Sequence, residues 1–231
     1  MPDCGSGTEI VTQTFYVPDE YAVDTFAVLG INEAGLKKET QLIVRPASGT
    51  NFVQNHGPGI EGEFVNGDGT WGKPLEWIVT QEAIVYNKQG WANRDGGVLH
   101  PECWGGGYNS GNGIENGKIY RTITLPAGFY TIKYNCVGSA GDVNKVNAYF
   151  LAAKGNELPN IDYIPTDEAK VILGKYQGNG ESIKNTHEFD FTLDEESEIA
   201  FGFVFSMKNE SQFRVNSVSL TDKFGSYVIY K

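Results

Sequence analysis

Cysteine, methionine and long apolar runs are scarce in this sequence. The 231 residues include three cysteines and two methionines. The cysteines form no C-x-x-C pair, which argues against a disulfide framework or a zinc cluster. The longest apolar stretch, Ile199 to Phe205, is far shorter than the roughly 18 to 20 residues that a membrane-spanning helix needs. We therefore expect a chain that folds around its own hydrophobic core, for which it is long enough.

Basic residues are also few, and recognised catalytic motifs are missing. The chain has 18 Lys and Arg against 29 Asp and Glu, a formal net charge of −11. Such a surface repels phosphate backbones, so nucleic acid is not an expected partner. Nucleophile-elbow, zinc-protease and P-loop motifs are missing from the sequence. The Gly57 to Gly62 stretch matches a dinucleotide fingerprint, but it follows no apolar strand and precedes no helical pattern. We expect that the protein is not an enzyme.

Glycine and aromatic residues, in contrast, are abundant. The chain has 29 Gly, 13 Phe, 12 Tyr and 4 Trp, a composition that favours strands joined by tight turns. Alternating apolar residues predict strands at Glu9 to Val17, Thr25 to Ile31, Leu36 to Val44, Glu63 to Val65, Trp77 to Tyr86, Lys118 to Leu125, Phe129 to Val137, Asn144 to Ala153, Glu188 to Leu193, Glu198 to Met207 and Gln212 to Leu220. One helix is predicted at Pro165 to Gly174, with Thr166 as its N-cap.

The cysteines differ in their surroundings. Cys136 alternates in phase with Ile132 and Tyr134, which predicts a buried core thiol, and a bridge from Cys103 to Cys136 is left open.

The residues before Cys4 lack the basic start and apolar stretch of a signal peptide. Cys4 is followed by Gly-Ser-Gly, which resembles a lipid-anchored bacterial N-terminus. The alternative is a segment cut from a longer protein.

The chain divides by pattern into two parts. Residues 1–50 are predicted to form a small β appendage plus a linker. Its hairpin, Tyr21 to Val44, resembles the last hairpin of a fibronectin-III-like domain. That segment is too short for the whole sandwich, which takes about 100 residues. Residues 51–231 are predicted to form the main domain.

The main domain carries a family resemblance. Its hairpin from Lys118 to Tyr130, turning at Leu-Pro-Ala-Gly, and its last strand from Phe213 to Leu220 resemble the galactose-binding-domain-like jelly rolls. These include carbohydrate-binding modules and domains of Bacteroidetes surface lipoproteins. The resemblance implies an all-β fold, an antiparallel jelly-roll β-sandwich with a small N-terminal β appendage. It also implies a non-catalytic carbohydrate-binding module at the outer-membrane surface or outside the cell.

One candidate metal site follows from the same resemblance. The last strand of such domains often carries an Asp that helps hold a structural calcium ion, and this chain has Asn216 at that position. An amide still offers a carbonyl oxygen but no charge, which weakens calcium binding. Asp68, in a Gly-rich loop with Asn66 and Thr70, is the second candidate ligand. We expect weak calcium binding through Asp68 and Asn216 and no other cofactor.

The candidate ligand-binding residues are concentrated in the Gly-rich stretch from Trp91 to Asn112. A sugar site needs an aromatic platform for the apolar C–H face and planar polar groups for the hydroxyls. The predicted sugar contacts are Trp91, Arg94, Asp95, His100, Glu102, Trp104, Tyr108 and Asn109. A glycan or polysaccharide is the expected partner, beside other domains of a longer parent chain. If Trp91 and Trp104 are buried instead, the alternative is a structural or adhesion domain without a small-molecule ligand.

Overall fold

The structure is a computed structural model that describes residues 24–31, 37–44, 51–64, 71–83, 91–93, 97–103, 113–166, 171–179, 183, 185–208 and 210–222. The chain divides into two compact units, Met1–Ala47 with Gly225–Lys231, and Ser48–Phe224. Among the described residues, no helix is long and apolar enough to cross a membrane.

The first unit contains one described hairpin. Strands β1 (Asp24–Ile31) and β2 (Lys37–Val44) pair antiparallel, from Asp24 opposite Val44 to Ile31 opposite Lys37. The alternation of apolar residues predicts both strands to within one residue. The strand predicted at Glu9 to Val17 lies outside the described residues.

The second unit is a sandwich of two antiparallel sheets. Its strands are β3 (Gly62–Phe64), β4 (Trp71–Pro74), β5 (Ile78–Val79), β6 (Trp91–Asn93), β7 (Leu99–His100), β8 (Glu102–Cys103), β9 (Ile114–Leu125), β10 (Gly128–Gly141), β11 (Val146–Lys154), β12 (Ile172–Asn179), β13 (Thr186–Leu193), β14 (Ser197–Met207) and β15 (Ser211–Asp222). The first sheet has the order β13-β10-β15-β7-β6-β4-β3, with β8 also paired to β15. The second sheet has the order β12-β11-β14-β9-β5. The predicted all-β, antiparallel fold class is confirmed.

Aromatic side chains fill the space between the two sheets. On β14, Phe201, Phe203 and Phe205 face inward and are buried, as their alternation predicts. The ring of Phe213, on β15 of the opposite sheet, lies 5.6 Å from the rings of both Phe203 and Phe205. The Tyr134 hydroxyl donates to the Leu151 carbonyl at 3.2 Å, which satisfies a polar group in the centre of the core.

The outer face of the second sheet is also apolar, and the segment after β11 covers it. Leu158, Ile161 and Ile164 pack on this face against a second cluster of buried side chains. Lys118, on β9, anchors the segment because its Nζ donates to the Leu158 carbonyl at 2.7 Å and to Asn160 Oδ1 at 3.1 Å. The segment therefore buries apolar side chains on the outer face of the second sheet.

Trp77 ties the loop before β3 to the edge of the second sheet. Its indole is buried, as predicted, lies edge-on to Phe201 at 6.3 Å and donates to the Asn55 carbonyl at 3.2 Å. The Arg121 guanidinium stacks over the indole at 5.7 Å and donates to the Gln54 carbonyl. The loop containing Gly57 to Gly62 leads into strand β3 and not into a helix, so it is not a dinucleotide-binding turn.

Three predicted elements are wrong. The antiparallel hairpin predicted from Lys118 to Tyr130 does not form, because β9 pairs with β5 and β14 in the second sheet, whereas β10 pairs with β13 and β15 in the first. The strand predicted at Trp77 to Tyr86 is reduced to Ile78–Val79 and is followed by a 3-10 turn at Gln81–Ala83. The helix predicted at Pro165 to Gly174 is contradicted by strand β12, which begins at Ile172. Pairing with β11 overrides the weak local preference of that segment for helix.

The bridge left open between Cys103 and Cys136 does not form. Cys136 is buried, as predicted, and lies opposite Val215, whereas Cys103 lies opposite Ser211. Four residues along a strand span about 13 Å. That separation is far beyond the reach of a disulfide.

Candidate functional site

The stretch from Trp91 to Asn112 contributes three short strands to the first sheet. Trp91 begins β6 and lies opposite His100 of β7, and Glu102 of β8 lies opposite Gln212 of β15. Of the other predicted sugar contacts, Arg94, Asp95, Trp104, Tyr108 and Asn109 lie outside the described residues. The proposed metal ligand Asp68 lies outside them as well.

His100 and Glu102 belong to a buried polar cluster with Gln212. Their side chains are 2% and 8% exposed. The His100 ring donates from Nε2 to Gln212 Oε1 at 2.6 Å, and the same nitrogen lies 3.5 Å from Glu102 Oε2. Because burial disfavours the charged imidazolium, it lowers the pKa of His100 to about 4. The Gln212 hydrogen bond acts in the opposite direction and offsets only part of this effect.

The geometry of this cluster suits a supporting role. It connects β7, which contains His100, and β8, which contains Glu102, to β15. A neutral, buried histidine hydrogen-bonded to an amide is not an exposed sugar ligand. The sequence pattern predicts both residues as contacts because it reports residue type and says nothing about burial.

A cleft of about 600 Å³ opens at one end of the sandwich. We call it the end cleft, and its lining residues are Gly113, Ile114, Glu115, Asn144, Lys145, Val146, Asn147, Ser206, Met207 and Lys208. Three of these side chains, Ile114, Val146 and Met207, are apolar and almost fully buried. The end cleft therefore combines apolar lining with polar groups, which is the usual composition of a small-molecule site.

The polar groups of the end cleft are held in place by hydrogen bonds. Asn147 Oδ1 accepts from Gln177 at 3.1 Å, Ser206 Oγ accepts from the Asn116 amide at 3.1 Å, and Asn144 Nδ2 donates to Asp142 at 3.2 Å. Side chains fixed in this way lose less entropy when a ligand binds. None of these residues is singled out by a sequence motif, because they come from β11, from β14 and from the 3-10 turn before β11.

Cys103 and Gly113 are the described residues that flank positions 104–112. The Cys103 carbonyl accepts from the Glu210 amide at 2.6 Å. At Gly113 a Cβ atom would lie 2.6 Å from the Met207 carbonyl oxygen. Gly113 and Met207 both line the end cleft. Trp104 and Tyr108 themselves lie outside the described residues.

Asn216 lies at an irregularity in β15. Ser217 pairs with Asn135 and Val215 with Cys136, so Asn216 is the extra residue of a β-bulge. Its carbonyl oxygen packs against Gly57, where there is no room for a Cβ atom. Within the described ranges, no three His, Cys, Asp or Glu side chains converge as a metal site. Calcium binding through Asp68 and Asn216 stays a prediction.

A family model matches residues 54–202, more than half of the chain. Its description is Domain of unknown function (DUF5013). The chain belongs to the DUF5013 family. The match begins in the loop before β3 and ends within β14, so it includes the cleft residues contributed by β9 and β11. No curated protein matches the chain.

Several solved structures are similar to this DUF5013 protein. One is TmCBM61 in complex with β-1,4-galactotriose, at 12% identity over 75% of this chain and 99% of that chain, with a TM-score of 0.41. Another is the K3 cleaved adhesin domain of Lys-gingipain from Porphyromonas gingivalis W83, at 10% identity over 64% and 93%, with a TM-score of 0.36. A third is the C-terminal CBM6 of LamC from Zobellia galactanivorans, at 14% identity over 63% and 99%, with a TM-score of 0.28.

The buried His100 makes the stability of the DUF5013 domain dependent on pH. Below pH 6.5 the histidine of the unfolded chain binds a proton, whereas the folded chain resists protonation down to a pH of about 4. The free energy of unfolding should therefore fall as the pH drops from 6.5 to 4, by about 3 kcal/mol from this group. Burial also lowers the pKa of His187, which adds to the effect in the same direction.

Urea unfolding measured across this pH range tests the prediction. His100→Gln removes the titrating group and should flatten the dependence, even if the variant is less stable at pH 7. A variant whose stability changes with pH as steeply as that of the wild type would contradict the assignment.

Proposed function

We propose that this DUF5013 domain is a non-catalytic carbohydrate-binding module of a bacterial cell-surface or secreted protein. The observation that carries the proposal is the end cleft, in which polar groups held by hydrogen bonds adjoin apolar lining. A sugar ring presents the same two kinds of surface, since it has C–H faces and a rim of hydroxyls. Two of the similar solved structures are carbohydrate-binding modules, one of them in complex with β-1,4-galactotriose.

In the proposed binding mode, Asn144, Asn147 and Ser206 supply amide and hydroxyl groups for hydrogen bonds to the sugar. Trp104 and Tyr108 are proposed as stacking surfaces, because Gly113, which follows them in the sequence, lines the end cleft. His100 and Glu102 contribute indirectly, by connecting β7 and β8 to β15. We place the domain outside the cell, where a surface anchor or further domains of a parent chain would present it to polysaccharide.

The affinity of a single site should be modest. A few hydrogen bonds and stacking contacts must overcome the loss of rigid-body entropy, which leaves a dissociation constant on the order of 0.1 to 1 mM. Firm attachment then requires several modules or a polymeric glycan.

A glycan-array screen followed by calorimetry tests the proposal. Asn147→Ala and Trp104→Ala should each weaken binding at least about tenfold, because they remove a cleft hydrogen-bonding group and a stacking platform. Asn135→Ala is the matched control, since Asn135 lies on β10, where its side chain bonds to Thr186. It should bind as the wild type does.

The screen also separates this function from a structural or adhesion role. If no glycan binds, the domain is not a sugar-binding module. If the cleft variants bind as well as the control, the end cleft is not the sugar-binding site. If Trp104→Ala lowers the melting temperature by many degrees, this indole belongs to the core and Asn147→Ala alone decides the question.

A further inference from the structure

We infer that the end cleft prefers glycans in which an otherwise neutral chain carries an isolated carboxylate or sulfate group. The inference rests on the proposed function, because it assigns the charge of the ligand that the same cleft takes. It starts from a difference between the net charge of the chain and the charge of the end cleft. The chain has a net charge of −11, but the lining of the end cleft contains two lysines and one glutamate.

The backbone places the two lysines side by side. The Lys208 amide donates to the Lys145 carbonyl at 3.0 Å, so the two side chains start from adjacent points on the rim. The Lys145 amide in turn donates to the Asp142 carbonyl at 3.0 Å, within the short 3-10 turn that leads into β11. Both cations are therefore carried by hydrogen-bonded backbone rather than by a free loop.

The two ammonium groups have different partners. Lys145 is partly buried, and its Nζ lies 3.4 Å from Glu210 Oε2, a carboxylate that does not line the cleft. Lys208 is exposed, and its ammonium makes no ion pair or hydrogen bond with any residue that the structure describes. An acidic group in the end cleft would thus interact with a Lys208 ammonium that has no other described partner. The Lys145 ammonium would attract the same group less, because Glu210 already pairs with it.

The overall charge limits which acidic glycans fit. A densely charged polymer would be repelled by the surface as a whole, whereas one acidic group interacts mainly with charges within a Debye length, about 8 Å at physiological salt. Glu115 is the one carboxylate in the lining, and it disfavours a second acidic group. The fitting ligand is therefore a sparsely charged glycan, with a uronic acid or a sulfate ester on one sugar.

The expected preference is moderate because the cations are partly or fully exposed. Exposed ion pairs contribute little in water, so each lysine should account for about a threefold to fivefold change in the dissociation constant. The preference should shrink as salt is raised from 50 to 500 mM, because screening removes it. Hydrogen bonds and stacking keep most of their strength under the same change.

The test compares matched neutral, uronate-bearing and sulfated oligosaccharides by calorimetry. Suitable pairs are xylotetraose against xylotriose bearing one glucuronic acid, and lactose against lactose 3′-sulfate, together with the best glycan from the array in neutral and acidic forms. We expect the acidic member of a pair to bind more tightly. Lys208→Ala should reduce that preference and Lys208→Arg should retain it. Lys133→Ala is the control, because Lys133 pairs with Glu188 at 3.8 Å on β10, away from the cleft.

The outcomes separate this inference from the proposed function. If neutral members bind as tightly as acidic ones, or if Lys208→Ala leaves the preference intact, the charge assignment is overturned while sugar binding stands. If a preference exists for uronate and not for sulfate, or the reverse, the assignment holds and the group is identified. If no member of any class binds, the proposed function fails, and the charge assignment fails with it.

Discussion

Gly202→Ala should destabilise the domain by at least about 3 kcal/mol, or abolish soluble expression. Gly202 lies in the middle of β14 between Leu151 of β11 and Tyr120 of β9. A Cβ atom at this position would collide with the Ile119 carbonyl oxygen and lie 2.6 Å from the Tyr120 Cα. These are backbone atoms of a neighbouring strand, so no side-chain rotation relieves the clash.

Gly155→Ala is the control for this change. Gly155 has a φ of 102°, but a Cβ atom there meets nothing within 4 Å. Its cost should be limited to backbone strain of about 1 kcal/mol. For a chain of this size, 3 kcal/mol corresponds to a decrease in melting temperature of about 6 to 12 °C. Equal melting temperatures for the two variants would show that β14 and β9 do not pack as described.

Phe150→Ala should cost about 3 to 5 kcal/mol. Phe150 is fully buried on β11, and its ring lies 5.1 Å from that of Tyr134, 4.7 Å from His187 and 5.9 Å from Phe203. Removing the ring leaves a cavity between the two sheets. The neighbouring rings are held by their strands, so they cannot close it completely.

Phe129→Ala is the matched control, because it makes the same chemical change on a side chain that is 44% exposed. Its cost should stay within about 1 kcal/mol. Urea unfolding of both variants gives the comparison. A Phe150→Ala variant as stable as Phe129→Ala would mean that the aromatic cluster is not the core of the sandwich.

Long strands with a one-sided apolar pattern could be predicted from the sequence. On β14, Phe201, Phe203 and Phe205 alternate with smaller residues, and they are buried between the sheets. The strand predictions succeed because burial of one face imposes a period of two over eight or more residues. The antiparallel hairpin predicted from the short connection Pro126 to Gly128 is wrong, because β9 and β10 lie in different sheets. Local pattern indicates a strand but not the sheet that it joins.

Short and glycine-containing strands could not be predicted in this way. Strands β6, β7 and β8 have two or three residues each, too few to show any period. Strand β12 contains Gly174 and Gly178, which locally indicate a break. In the fold, their missing side chains leave room for the rings of Phe189 and Phe150. These close contacts depend on the neighbouring strand β11, which carries Phe150, and on β13 of the opposite sheet, which carries Phe189, so they could not be predicted from the β12 sequence.

The same division applies to the candidate site. By itself, the sequence determined the fold class, the aromatic core and a stretch rich in residue types that suit sugar binding. Each of these follows from local composition or from the alternation of apolar residues along a strand. Only the tertiary structure decided that His100 and Glu102 are buried, because β15 brings Gln212 to them. It also decided that Asn144, Asn147, Ser206 and Lys208 line one cleft. These residues are up to 64 positions apart in the chain, and only the antiparallel pairing of β11 with β14 brings them together.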